Sequence, residues 1–167
     1  FKMFQERVNG LEYSISHFED KWYVVTNKDG ATNFKLMSCS ESRTGSDNWK
    51  DYIGHRDDVL LEDVEVFDDF LVVSERENGL RRVDIRPWSG KGRHYINFDE
   101  EAYSLYSSSN PQMDTKMFRY SYSSMTTPNS VVEYDMVSKE KTVLKETEVL
   151  GGKFDKNNYH SKRVWAQ

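Results

Sequence analysis

Three short stretches of this chain, "WYVVT" from Trp22, "FLVVS" from Phe70 and "FRYSY" from Phe118, open 48 residues apart in both steps. A self-similar period of this size marks a repeated supersecondary unit, and it limits the fold more than any single motif does. Each stretch is rich in aromatic and β-branched residues, and Ala occurs only at Ala31, Ala102 and Ala166, so the repeated unit is built of strands rather than helices.

Within the first unit, Leu11, Tyr13 and Ile15 alternate with Glu12, Ser14 and Ser16, the period of a half-buried strand. "KWYVVT", "NFKLMS" and "WKDYI" follow, separated by turn-rich spacers, so four strands are predicted. Asp29-Gly30 in one spacer suits the positive φ of a tight hairpin and points to antiparallel connection. The second unit repeats the layout with "EDVEVF", "FLVVSE", "LRRVDI" and "RHYINF", placing Asn78-Gly79 in the corresponding turn. The third gives "AYSLYS", "FRYSYS", "SVVEYD" and "KTVLKE", with Pro128-Asn129 in its turn.

A repeat of four short antiparallel strands is the pattern of a β-propeller blade, which cannot bury both faces alone and so stacks on its neighbours. The predicted fold is all-β, with about three four-stranded blades over residues 11–54, 59–98 and 102–148. Closed propellers need about four to eight blades, so three are expected to be part of a larger ring. A β-sandwich with coincidental spacing is the alternative. Residues 151–167, from Gly151-Gly152 onward, break the pattern and are expected to leave the repeat.

A formal charge of −5 with intermixed signs leaves no basic track for nucleic acid. The acidic run "HRDDVLLEDVEVFDD" fits a solvated strand face with acidic turns. Cys39 is the one cysteine, which excludes an internal disulfide and a multi-thiolate zinc site. No apolar run reaches membrane-spanning length, and "FKMFQERVNGLEY" has neither a signal-peptide core nor an initiator Met, so the chain is expected to start inside a longer polypeptide.

Catalytic signatures are missing. No GxSxG elbow occurs, and the serine-rich "YSYSSMTTP" of residues 120–128 has neither flanking glycines nor a helical continuation, so strand and polar loop are expected there. His17, His55, His94 and His160 show no metal-ligand spacing. Asp57-Asp58 and Asp68-Asp69 are not expected to work as an acid–base pair, because neighbours in a strand point to opposite faces and seldom share a proton; turn acids are the simpler account. There is no P-loop and no GxGxxG, so neither cofactor nor metal is expected.

The stretches "GLEYSI", "TNKDGATNFKLM", "HRDDVLLEDVEVFDDFLVVSERENGL", "INFDEEAYSLY", "FRYSYSSMTTPNSVVEYDM" and "LKETEVLGGKFDKNNYHSKRVWA" run across nearly the whole chain. In their order and separations they resemble the propeller of the prolyl oligopeptidase family of serine peptidases, in its oligopeptidase B branch. The resemblance implies a seven-bladed propeller capping an α/β-hydrolase domain, and an enzyme that cuts short peptides after Arg or Lys. It implies that this segment, from the last blades of the propeller, gates peptide substrates, carries no catalytic residue and is inactive alone. Tyr159, Ser161, Arg163, Trp165 and Ala166 match the family's "Y.S.R.WA" pattern at the propeller's end, so Tyr159, Arg163 and Trp165 are the candidate domain-junction residues. The family's acids that read a basic substrate side chain belong to the peptidase domain, so Glu75, Glu77 and Glu100 are not given that role. Expected partners are peptides and the hydrolase domain, with self-association of the exposed blade faces also open, in the cytoplasm or else the periplasm or outside the cell. A non-enzymatic propeller scaffold is the competing reading, although the WD and GH signatures of common scaffold repeats are absent from equivalent blade positions.

Overall fold

The computed structural model describes residues 2–166 and divides the repeat into twelve strands. The first sheet holds β1 (Tyr13–Phe18), β2 (Lys21–Thr26), β3 (Lys35–Ser40) and β4 (Lys50–Ile53). The second holds β5 (Val59–Val66), β6 (Phe70–Glu77), β7 (Leu80–Pro87) and β8 (His94–Tyr95). The third holds β9 (Tyr103–Ser107), β10 (Met117–Ser124), β11 (Ser130–Asp135) and β12 (Lys141–Glu146). Each sheet is a meander with its four strands in sequence order, every neighbouring pair antiparallel.

Local chemistry sets the turns. Asn78 and Gly79 take φ of 50° and 78° and close a two-residue hairpin in which Glu77 faces Leu80. Asp29 and Gly30 also have positive φ, at 59° and 77°, yet they do not make the tight hairpin expected of them. The ladder ends at Thr26 facing Lys35, and residues 27–34 form a longer loop because Asn27 is used elsewhere. Its side chain accepts from Glu12 N and donates to Gly10 O, both at 2.9 Å, tying the loop to the chain ahead of β1. Phe34, with φ of 56°, then delays β3 to Lys35. The expected strand "RHYINF" shrinks to His94–Tyr95, with one more ladder bond from Ile96 N to Val83 O.

Two apolar layers join the sheets. Tyr23, Val25, Leu36 and Ile53 of the first meet Leu61, Val64, Leu71 and Val73 of the second. The opposite face of the second sheet puts Phe70, Val72, Val83 and Ile85 against Leu105, Phe118, Tyr120 and Val132 of the third. The middle sheet is therefore apolar on both faces, and this is why "FLVVS" reads as an unbroken run rather than an alternation. Val24, Met37, Cys39 and Trp49 make the remaining face of the first sheet, with Phe4, Leu11 and Trp22 packed on it.

The 48-residue spacing aligns strands but not faces. Trp22 belongs to the outer layer of the first sheet, whereas Phe70 and Phe118 lie on opposing walls of one layer. Side chains alternate along a strand, so sheets stacked in the same sense need an odd offset. The turns supply it: Phe18 faces Lys21 across Glu19-Asp20, and Phe67 and Phe70 exchange backbone bonds of 2.8 and 3.2 Å across Asp68-Asp69. Phe18 thus corresponds to Phe67, and Trp22 to Leu71, at a spacing of 49 residues.

Candidate functional site

In an antiparallel meander, the turn between the second and third strands and the link to the next sheet lie at one end. At that end the structure gathers the Asn78-Gly79 hairpin, the β8–β9 link at residues 96–102, the β10–β11 turn at residues 125–129, and residues 147–166 after β12.

The centre of this gathering is Glu100. Its carboxylate accepts hydroxyls from Tyr122 at 2.6 Å, Thr126 at 2.5 Å and Thr127 at 3.0 Å, and a further short one from Ser124. Partial desolvation alone would raise its pKa, but the four hydroxyl donors outweigh that and hold it at about 2. Four hydroxyls of the "YSYSSMTTP" stretch are thus committed to Glu100, while that of Ser121 donates to Tyr106 O at 3.3 Å. Ser124 Oγ also accepts the amides of Thr126 and Thr127 at 3.0 and 2.8 Å, which occupy its lone pairs and leave no free nucleophile. Sequence reasoning found the strand and loop but missed this acid, whose partners lie 22 to 27 positions away.

The neighbouring acid, Glu101, accepts the Arg163 backbone amide at 3.0 Å. The Arg163 guanidinium donates to Asn78 O and lies 4.4 Å from the centre of the Trp165 ring. A Cβ on Gly79 would meet Arg163 Nη2 at 3.3 Å, so this glycine serves both the hairpin's positive φ and the approach of the arginine. The three candidate junction residues are thus dissimilar. Arg163 is a tether to the second sheet, while Tyr159 and Trp165 are 61% and 73% exposed. Tyr159 stacks on Phe154 with ring centres 5.7 Å apart, beside a single 3₁₀ turn at Lys156–Asn158.

The acids of the second sheet are committed to partners. Glu75, fully buried on the face toward the first sheet, accepts from Arg56 and from Tyr95 Oη at 3.1 Å, with Arg82 at 3.6 Å. Glu77 pairs with Arg82. Asp84, also fully buried, takes Arg86 at 2.6 Å and Arg93 at 2.9 Å. A cleft of about 340 Å³ between β5 and β9 is crossed by Arg81, which donates to Glu62 at 2.5 Å and lies 4.2 Å over the Tyr106 ring.

The histidines are separate from one another in the structure. His17 contacts Glu41 at 3.4 Å, His55 accepts Asn33 N at 3.2 Å, His94 joins Tyr134 Oη at 2.9 Å, and His160 is exposed. Asp68 and Asp69 form the β5–β6 turn and Asp57 and Asp58 the bend before β5. Among the described residues no three His, Cys, Asp or Glu side chains converge as metal ligands. Cys39 is buried, which pushes its thiol pKa up and keeps it protonated.

Residues 1–147 match the family model of the prolyl oligopeptidase N-terminal β-propeller domain. A dipeptidyl aminopeptidase BI from Pseudoxanthomonas mexicana is 41% identical over 99% of the chain and 22% of its own length. A protease 2 from Moraxella lacunata is 27% identical over 99% of the chain and 23% of its own length. Among solved structures, oligopeptidase B from Trypanosoma brucei, with covalently bound antipain, superposes with a TM-score of 0.84 at 32% identity, covering 94% of this chain and 23% of that one. Oligopeptidase B from Leishmania major gives 0.81 at 28% identity, covering 93% and 23%. The chain spans under a quarter of the length of these relatives. With its three meander sheets stacked face to face, the chain belongs to the prolyl oligopeptidase family and forms part of that family's N-terminal β-propeller domain.

Proposed function

We propose that this chain is the gating portion of a serine oligopeptidase that cleaves short peptides after Arg or Lys, with the catalytic groups on an α/β-hydrolase domain elsewhere in the polypeptide. The observation that carries the reading is the propeller match over residues 1–147 followed by a tethered segment that exposes Tyr159 and Trp165. Gating is steric: a ring of stiff sheets over an active site admits a flexible peptide and rejects a fold that must first be opened. Tyr159 and Trp165 meet the hydrolase domain, and Arg163 fixes the direction in which the chain approaches it.

The test is hydrolysis by the full-length protein of N-blocked arginyl and lysyl peptides, beside one protein offered folded and then unfolded. Cleavage of the peptides and the unfolded form alone is expected. Equal cleavage of the folded form would remove the gating role. A second reading, release of dipeptides from free N-termini, draws on the 41% identity to a dipeptidyl aminopeptidase. Faster turnover of unblocked dipeptidyl substrates than of N-blocked ones would favour it.

A further inference from the structure

The ladder of the Asn78-Gly79 hairpin closes at Glu77 and Leu80, so the carbonyls of the two turn residues have no partner within the sheet. Each receives an arginine instead. Asn78 O accepts from Arg163 of the exit segment, and Gly79 O accepts from Arg76 Nη1 at 3.2 Å.

Arg76 is set against the usual rule for its strand. The register of β6 and β7 places it directly opposite Arg81, a like-charge pair that destabilises a sheet unless an anion stands between the two. Glu62 is that anion. The β5 ladder slips between Leu61 and Asp63, and the extra residue of this bulge, Glu62, takes Arg76 Nε at 2.8 Å on one oxygen and Arg81 Nε at 2.5 Å on the other. From there the two arginines part. Arg81 Nη1 donates to Leu105 O at 3.1 Å and joins the second sheet to the third, whereas the acceptors of Arg76, Glu62 and Gly79 O, both belong to the second sheet. Arg76 therefore braces the turn on which Arg163 lands, and a continuous set of contacts runs from Glu62 through Arg76 and the hairpin to Arg163 and the Trp165 ring.

We propose that Arg76 is a positioning residue for the domain junction. Held by Glu62, it fixes the Asn78-Gly79 turn as the seat of Arg163, and so sets how closely the exit segment brings the hydrolase domain down on the propeller. The effect on the gate rests on the peptidase reading above; the effect on the exit segment rests on the geometry alone.

The test is hydrogen–deuterium exchange at short labelling times on the full-length protein, read at residues 159–166, where the Arg163 amide is held by Glu101 at 3.0 Å. Arg76→Ala is expected to speed exchange there by about threefold and to leave the amides of β6 at the wild-type rate. It should add nothing to Arg163→Ala, because both remove the same seat. Arg81→Ala, which removes the other arm from Glu62 and the tie to Leu105, should leave residues 159–166 unchanged. No effect of Arg76→Ala at these residues, effects of Arg76→Ala and Arg163→Ala that add in full, or an equal effect of Arg81→Ala would each overturn the proposal. If Arg76→Ala fails to fold, Arg76→Lys carries the comparison: one ammonium cannot span Glu62 and Gly79 O as the guanidinium fork does, so about twofold faster exchange is expected and wild-type exchange is the refuting result. On the same samples, the rate on a long unfolded chain relative to that on a short arginyl peptide should rise by about threefold in Arg76→Ala, a ratio that loss of folded enzyme does not move. An unchanged ratio would overturn the bearing on the gate. Failure of wild type to hydrolyse either substrate would sink the peptidase reading, while exchange at residues 159–166 still decides the seat.

Discussion

Replacing Glu100 by Gln keeps the shape of the side chain but offers four hydroxyl donors one carbonyl oxygen in place of two carboxylate oxygens. The fall in pKa from 4.5 to about 2 sets an upper bound of about 3 kcal/mol, at about 1.4 kcal/mol per pH unit. Partial exposure of the group reduces this to about 1–2 kcal/mol. The amides of Thr126 and Thr127, held by Ser124 Oγ, report the local opening, and their exchange in Glu100→Gln should quicken by about 5- to 30-fold at pH 7. The pH dependence follows from the sign of the shift. The folded pKa lies below the unfolded one, so the stabilisation is complete above about 4.5 and is lost as pH falls through about 2. The gap between wild type and variant should therefore be constant from pH 7 to 5 and close below pH 3. A gap of less than twofold at pH 7, or one that persists undiminished to pH 2, would refute the hydroxyl-clamp account of this turn.

Gly79→Ala strains a backbone at φ of 78° and presses a methyl to 3.3 Å from Arg163; a loss of about 1–2 kcal/mol is expected in denaturant unfolding of the propeller, with faster exchange near Arg163. Arg56→Ala leaves the fully buried Glu75 with Arg82 and Tyr95 alone, and about 2–3 kcal/mol should be lost by the same measurement. Phe118→Ala opens a cavity in the layer between the second and third sheets at a cost of about 3–5 kcal/mol, and unfolding at unchanged midpoint would contradict the assigned core. Cys39 should resist a thiol reagent in the native protein and react at the rate of a free thiol once denaturant unfolds the first sheet.

Much of this architecture is written locally. Strands follow from alternation and β-branched runs, hairpins from Asn-Gly and Asp-Asp pairs, and the repeat from similar short stretches at like spacing, because each depends on residues within a few positions of one another. Even the pattern from Tyr159 to Ala166 is a local string. Three matters were settled by tertiary structure alone. The 48-residue match between Trp22, Phe70 and Phe118 pairs aromatic residues by type, yet the sheets pack at an odd offset, and a one-residue difference turns a side chain to the opposite face. The role of Glu100 depends on hydroxyls brought from the next sheet, and Arg163 reaches a carbonyl 85 positions away, so neither contact leaves a mark in the flanking sequence. Composition could specify that each strand has an apolar side; which neighbour that side meets is fixed only when the sheets are placed against one another, because burial is a property of the pair of surfaces and not of either strand.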